Sequence, residues 1–231
     1  MINMAVYQIY PQRKRSIFSV LSVNTILIFV TVLCFGLFSV LVLTGTIPID
    51  YIALRPSNIL QGKYLWTFLT SMFMHGGFFH LFANMISLFF IGGLVEKIIG
   101  RKRYFWFYMI SGILAGLFFV LSSLFFTSDM SAYAVGASGA IFALVGMLVL
   151  ITPDLPVYVM FIPIPVKMKY AAPGLLVLLW LISVTPIAFG GQQIPIGNTA
   201  HFDGLLVGFV YGIYLRNTYP NKVKNISKMF H

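Results

Sequence analysis

One short stretch of this sequence has the residue types of a reactive serine: Gly136-Ala137-Ser138-Gly139-Ala140. Glycines on both sides would let the backbone and a bound substrate approach the Ser138 hydroxyl closely. The serine precedes an apolar segment, so its hydroxyl would lie near a helix N-terminus, where free N–H groups favour developing negative charge. The stretch therefore indicates a nucleophile, although small residues in a membrane helix can also serve only to let helices pack closely.

The base that would activate this serine is His201, at the start of the last apolar segment. A serine and a histidine are the minimum for nucleophilic acyl transfer. Asp203 lies about 200° further around a helix and would face away from the same partner, so the sequence predicts a Ser–His dyad. Phe142, one turn after Ser138, would share its helix face and could stack on the imidazole. Considered alone, His201 is more often a buried histidine bonded to the backbone.

Two further polar residues, His80 and Asn84, are four positions apart and would share one face of a helix. Their side-chain N–H groups, with the backbone N–H of Ser138, could stabilise a tetrahedral oxyanion. The alternative role is hydrogen bonding between helices, which is common for both residue types in membranes. His75, just before this helix, is interpreted as a brace for the preceding loop, and Glu96 as a paired charge at the inner surface.

The elements that must position these residues follow from the composition. The chain has 231 residues, of which 59% are hydrophobic and 9% charged, and a mean hydropathy of +0.94, which is typical of a membrane protein. Its net charge of +10 would suggest nucleic acid for a soluble protein, but the basic residues lie in short breaks between apolar runs. The single cysteine excludes an intrachain disulfide framework and a cysteine-based zinc site. No pattern requires a cofactor or a metal.

The apolar runs predict an all-α polytopic membrane protein of six transmembrane helices, at about residues 20–44, 78–98, 104–126, 138–152, 172–189 and 200–215. The first run is too long for a cleavable signal peptide. The long first loop has interrupted apolar pieces and many aromatic residues, so we expect short amphipathic helices in the membrane interface. We divide the chain into an N-terminal arm (1–16), a membrane domain (17–216) and a basic tail (217–231).

Basic residues predict the orientation of this bundle. With the N-terminus in the cytoplasm, 13 of the 15 Lys and Arg residues lie inside, and only Arg55 and Lys63 lie outside. The positive-inside rule therefore predicts that both termini are cytoplasmic. The inside residues are Arg13, Lys14, Arg15, Lys97, Arg101, Lys102, Arg103, Lys167, Lys169, Arg216, Lys222, Lys224 and Lys228.

The candidate residues share one depth in this arrangement. Ser138 lies 16 residues before Asp154, which is about 24 Å along a helix. His201 lies 15 residues before Arg216, or about 22 Å. His80 and Asn84 lie 17 and 13 residues before Lys97, or about 26 and 20 Å. All four would lie several ångströms below the outer surface of a hydrocarbon core about 30 Å thick. Polar groups at that depth are costly unless they face protein or a water-filled cavity, so they indicate one common site.

A stripe of glycines would bring the nucleophile and base together. Gly204, Gly208 and Gly212 recur every four residues near the face of His201. Such a stripe would let the sixth helix press against the fourth.

Together these motifs resemble the rhomboid intramembrane serine proteases, over a stretch from about Trp66 to Gly208. The matching pieces are Gly136-x-Ser138-Gly139, His75 through His80 to Asn84, Gly92-x-x-x-Glu96 with Gly100, and Ala200-His201-x-x-Gly204-x-x-x-Gly208.

The resemblance implies a six-helix core with Ser138 as nucleophile, His201 as base, and His80 and Asn84 at the oxyanion hole. Gly136, Gly139, Glu96, Gly204 and Gly208 would be structural. It also implies an outward-opening water-filled cavity in the cell membrane and transmembrane proteins as substrates. The fifth helix and the loop 190–199 would form the lateral gate and cap.

Two departures from the family pattern are Thr67, where many members have Arg, and Phe142, where Tyr is frequent. Phe142 keeps the stacking on the histidine but not a phenolic hydrogen bond. The sequence has no His-Glu-x-x-His motif, which argues against a metalloprotease. An aspartyl intramembrane protease needs two carboxylates within the membrane, and Asp203 has no partner at its depth. The alternatives that stay open are a small transporter, in which buried His and Asn relay protons or bind solute, and a non-proteolytic rhomboid-like binder of membrane proteins.

Overall fold

The part of the chain that the structure describes contains six helices of 14 or more residues. The structure is a computed structural model that describes residues 21–158, 164–188 and 198–230, with side chains except at 127, 128 and 183–188. The N-terminal arm and most of the predicted gating loop lie outside these residues. The helices are α1 (Val23–Leu43), α2 (Phe78–Ile99), α3 (Arg101–Ser122), α4 (Ser138–Ile151), α5 (Met168–Ala188) and α6 (Asn198–Thr218).

Within the residues described with side chains, three helices are long and apolar enough to cross a membrane by length and composition alone: α1, α2 and α3, with 21, 22 and 22 residues. Helix α4 has only 14 residues, or about 21 Å. It lies at the centre of the bundle, and every residue from Ala140 to Leu148 is buried. Neighbouring helices therefore surround α4, and its length need not match the thickness of the bilayer.

A buried polar cluster joins the first three helices. The Asn24 side-chain amide donates to the carbonyl of Leu88 at 2.9 Å, within a π-helical turn of α2 (Leu88–Gly92) that breaks the regular ladder. The Tyr104 hydroxyl donates to Asn24 Oδ1 at 2.6 Å. A Cβ at Gly92 would overlap both the Asn24 and Tyr104 side chains. Glycine is therefore required where this cluster crosses α2.

Glu96 lies beside the same cluster, at the N-terminal end of α1. Its two carboxylate oxygens accept the backbone N–H groups of Val23 and Asn24 at 2.9 and 2.8 Å, and Arg101 Nε lies 3.4 Å away. These N–H groups belong to the first turn of α1, where the helix itself offers them no carbonyl acceptor. Glu96 thus caps a neighbouring helix besides forming the predicted ion pair.

The long first loop contains the expected short helices, Pro56–Leu60 and Thr67–Thr70, with 3₁₀ turns at Ile49–Tyr51 and Ser71–Phe73. Within this loop, the N–H of Leu54 donates to the Ala134 carbonyl at 3.1 Å, and the N–H of Ala134 donates to the Leu54 carbonyl at 2.8 Å. The hydroxyl of Thr67 donates to the Tyr64 carbonyl at 2.7 Å. The loop is therefore docked against the segment that leads into α4.

The structure differs from the predicted boundaries at α3, at the start of α5, which is Met168 rather than about residue 172, and in the basic tail. Helix α3 begins at Arg101 and ends at Ser122, because Gly100 (φ +83°) allows the chain to reverse at once into a new helix. The basic tail contains a further helix, α7 (Pro220–Lys228). Val223 and Phe230 pack against the core, while the lysines of α7 stay exposed, and this amphipathic pattern explains why the segment folds.

The connector between α4 and α5 contains two strands of two residues each, in which Pro156–Val157 pairs antiparallel with Val166–Lys167. Asp154 accepts hydrogen bonds from Lys169 and Lys167 at 2.9 and 3.0 Å. These bonds lower the pKa of Asp154 to about 2, so this carboxylate stays ionised at neutral pH.

Candidate active site

Ser138 and His201 meet at the junction of α4 and α6. Ser138 is the first residue of α4 and His201 lies in the first turn of α6. The Ser138 Oγ and His201 Nε2 atoms are 2.9 Å apart, and the His201 side chain is buried. A neutral imidazole that accepts the serine proton at Nε2 carries its own hydrogen on Nδ1. The pair has the geometry of an activated nucleophile and its base.

The two helices approach closely because glycines line their contact. A Cβ at Gly204 would overlap the carbonyl oxygen of Gly139, and one at Gly208 would overlap that of Ala143. On the other helix, a Cβ at Gly146 would overlap the carbonyl oxygen of Leu205. Backbone therefore packs directly on backbone, as in other small-residue interfaces between membrane helices. This close packing brings the imidazole within hydrogen-bonding distance of the hydroxyl.

Phe142 packs against the imidazole ring of His201. The ring centroids are 4.6 Å apart and the planes differ by 21°, a stacked arrangement. Among the described residues, nothing forms a hydrogen bond with His201 Nδ1. Asp203 is buried, and its Oδ2 atom likewise has no hydrogen-bond partner in that part of the chain. Packing thus holds the ring, and no carboxylate of the described residues orients it.

The backbone before Ser138 is fixed by the first loop. Gly136 has φ +117°, which side chains other than hydrogen rarely allow, and its N–H donates to the Ser71 carbonyl at 2.8 Å. The N–H of Ala137 donates to His75 Nε2 at 3.4 Å. Burial, and then the nearby His80, lower the pKa of His75 to about 3, so the ring is neutral and able to accept.

His75 is therefore a residue whose position the sequence reasoning did not foresee. The sequence predicts a brace for the loop, whereas in the structure His75 contacts the segment immediately before Ser138. The signal in the sequence is a second histidine five residues before His80. The rings of these two residues lie 5.1 Å apart in an edge-to-face arrangement.

His80 lies beside the same segment. Its Nδ1 atom accepts the Gly76 N–H at 3.3 Å, so a neutral ring carries its hydrogen on Nε2. A Cβ at Gly136 would be only 3.0 Å from that Nε2 atom. The donor is thus placed against the backbone two residues before Ser138, and glycine is the residue that leaves room for it.

Asn84 is buried one turn further along α2. Its side-chain amide donates to the His80 carbonyl at 2.8 Å, which uses one of the two amide hydrogens and leaves the second available.

A small cavity of about 40 Å³ lies beside the serine, with Ser71, Gly136 and Ser138 in its wall. A cavity of this size with polar groups in its wall has room for water. In the described part of the chain, no three His, Cys, Asp or Glu residues lie close enough to hold a metal ion.

Comparison with known proteins decides the family. A family model described as a rhomboid domain matches residues 62–218. The chain belongs to the rhomboid family. The rhomboid domain implies a six-transmembrane-helix bundle, so the predicted resemblance and fold class are confirmed, and the protein spans the membrane several times.

The relatives include a protein named as a protease and a protein named as inactive. RHOMBOID-like protein 1 of Arabidopsis thaliana is 38% identical over 162 residues, which cover 69% of this rhomboid chain and 37% of the relative. The rhomboid protease GlpG of Yersinia pseudotuberculosis is 25% identical over 187 residues, 80% of this chain and 60% of that protein. Inactive RHOMBOID-like protein 8 of Arabidopsis thaliana is 38% identical over 88 residues, 38% of this chain and 23% of the relative.

The chain spans less than half the length of the plant relatives it matches. Because a protein named as inactive is among them, family membership alone does not determine activity. That question depends on the residues of the site.

Proposed function

We propose that this rhomboid protein is an intramembrane serine endopeptidase that cleaves transmembrane segments of other membrane proteins. The observation that carries the proposal is the distance of 2.9 Å between Ser138 Oγ and His201 Nε2. A hydroxyl and an imidazole in contact, in a buried site without a third acid, suit covalent acyl transfer. Membership of a family that includes a named protease supports the same reaction.

The first half of the reaction forms an acyl-enzyme. The Ser138 hydroxyl gives its proton to His201 Nε2 while Oγ bonds to the substrate carbonyl carbon, which becomes tetrahedral. When this intermediate collapses, the peptide C–N bond breaks and the leaving amine takes the proton from His201. In the second half, a water molecule gives a proton to His201 Nε2 while its oxygen bonds to the ester carbon. The Oγ–C bond then breaks, and Ser138 Oγ takes the proton back from His201. Phe142 holds the imidazole plane throughout these transfers.

Three N–H donors would stabilise the negative charge on the tetrahedral oxygen. They are the backbone N–H of Ser138, the Nε2–H of His80 and the second amide hydrogen of Asn84. Donors that are already in place before the reaction stabilise developing charge most effectively in a site shielded from water. The hydrogen bond that His80 Nδ1 accepts from Gly76 supports this assignment, because it leaves Nε2 as a donor.

We further propose that the protein lies in the cell membrane with both termini in the cytoplasm and the site open to the outer face. The basic residues at the end of α2, the start of α3 and the end of α6 support this orientation by the positive-inside rule. Other membrane proteins are the partners that such a site would take, without cofactor or metal.

A direct test uses the purified full chain in detergent, a transmembrane-segment reporter and a fluorophosphonate probe that reacts with activated serines. Wild type is compared with Ser138→Ala and His201→Ala. Ser87→Ala is the matched control, since Ser87 is a half-buried serine of α2 whose hydroxyl donates to the Ala83 carbonyl within its own helix. We expect cleavage and labelling in wild type and Ser87→Ala, and neither in the other two variants.

The alternative function is that of a non-proteolytic binder of membrane proteins, as the named inactive relative suggests. Folded wild type that binds the reporter without cutting it, and that never labels at Ser138, would favour this function. Labelling that persists in Ser138→Ala would show that another residue reacts and would contradict the dyad.

A further inference from the structure

A groove between α3 and α6 is cationic at one end and apolar along its length. Its volume is about 440 Å³. Ile110 lies seven residues beyond Arg103, about 10 Å along the axis of α3. The residues that line the groove are Lys102, Arg103, Trp106, Phe107, Ile110 and Tyr211. None of them belongs to the candidate active site.

The cationic end is held in place by an aromatic residue between α6 and α7. Arg103 Nη2 donates to the Tyr219 hydroxyl at 3.4 Å, and its guanidinium lies 5.3 Å from the centroid of that ring. Lys222 Nζ lies 5.6 Å from the same centroid. Within the described residues, no carboxylate forms an ion pair with Lys102, Arg103 or Lys222. Positive charge that is uncompensated favours an anionic ligand.

The remaining walls are aromatic or aliphatic. Phe107 and Tyr211 stack with their centroids 4.2 Å apart and form a rigid floor between the two helices. Trp106 and Ile110 are 54% and 50% exposed beside this floor. Large apolar side chains exposed on a membrane-spanning helix contact acyl chains, and tryptophan favours the level of the lipid headgroups. A ligand that fits the whole groove therefore has an anionic head and an apolar tail.

We propose that this groove binds an anionic glycerophospholipid. Its phosphate contacts Lys102 and Arg103, and an acyl chain lies along Trp106 and Ile110. A soluble phosphate would use only the cationic end. A zwitterionic lipid brings its own ammonium group, which offsets the attraction to the basic side chains. The site is distinct from the Ser138–His201 pair, and the proposal does not depend on proteolysis.

The test is native mass spectrometry of the full chain in detergent, incubated with equal amounts of phosphatidylglycerol and phosphatidylcholine that carry identical acyl chains. We expect wild type to retain phosphatidylglycerol preferentially. The variant Lys102→Gln/Arg103→Gln should reduce its retention about tenfold, since two cationic contacts to the headgroup are lost. The matched control Lys97→Gln/Lys228→Gln removes the same charge elsewhere and should stay within about twofold of wild type.

Two additional arms separate a lipid from a free anion. Trp106→Ala should lower lipid retention without changing the charge, and soluble glycerophosphoglycerol should fail to displace the lipid. Unchanged retention in folded Lys102→Gln/Arg103→Gln, or an equal loss in the control variant, would overturn the proposal. So would complete displacement by the soluble headgroup together with no effect of Trp106→Ala.

Discussion

His75 and Ala137 are 62 residues apart in the sequence, yet the backbone N–H of Ala137 donates to His75 Nε2 at 3.4 Å. This bond orients the peptide immediately before Ser138, whose own N–H is a proposed oxyanion donor. We predict that His75→Ala lowers kcat for the reporter about tenfold, because a misaligned donor stabilises the transition state less well. The Michaelis constant should change by less than about twofold.

A steady-state series in detergent with His75→Ala and His75→Gln checks this positioning role. Glutamine keeps a side-chain acceptor and should recover part of the lost kcat. A folded His75→Ala variant with wild-type kcat, or a change confined to the Michaelis constant, would contradict the role.

Asn84 is expected to contribute less than the nucleophile. Removal of one oxyanion donor typically lowers the rate by about 10²–10³, and in Asn84→Ala the His80 and backbone donors remain. We therefore predict residual cleavage by Asn84→Ala and none by Ser138→Ala, measured with the same reporter over long incubations. If both variants lose activity equally while thermal unfolding shows both to be intact, Asn84 is not an auxiliary donor.

Phe142 should affect the orientation of the base. A stacked aromatic pair contributes about 0.5–1.5 kcal/mol beyond the burial of its area, which corresponds to roughly a 2- to 12-fold decrease in kcat for Phe142→Ala. Phe142→Tyr keeps the ring and should retain more activity than the alanine variant. Single-turnover rates of probe labelling at Ser138 would measure this directly, and equal rates in wild type and Phe142→Ala would exclude a role for the stacking.

The glycines between α4 and α6 should be needed for stability as well as for geometry. In Gly208→Ala the new methyl group meets the Ala143 carbonyl oxygen, and overpacking of this kind costs about 1–3 kcal/mol. Gly36→Ala in α1 is the matched control, because a Cβ there has no atom within 4 Å. Thermal unfolding in detergent should show a lower midpoint for Gly208→Ala and an unchanged or higher one for Gly36→Ala. Equal midpoints would argue against backbone contact between the helices.

Local patterns in the sequence were sufficient to predict the helices and the proximity of Ser138 to His201. Long apolar runs predict spanning segments because a bilayer admits few other backbone structures, and the structure has a helix in each predicted run. Ser138 stands out through its flanking glycines and His201 through the glycine stripe that follows it. These features are encoded within a few residues of each side chain.

Contacts between distant segments could not be predicted in the same way. The bond from Ala137 to His75 and the cluster of Asn24, Tyr104 and the Leu88 carbonyl depend on how helices and loops pack, which no local spacing records. The helix α7 was missed for a related reason. Its composition is polar, and its few apolar residues form a helix face only because the core provides a surface against which they pack.

The shortness of α4 has a consequence for where a substrate would be cut. The helix is about 21 Å long and is enclosed by its neighbours, so lipid does not determine the level of Ser138. A substrate helix, in contrast, adjusts its tilt and vertical position to the thickness of the bilayer. In vesicles with longer or shorter acyl chains, the same substrate would therefore present a different peptide bond to an unmoved serine, and the bilayer itself would select the cleavage position.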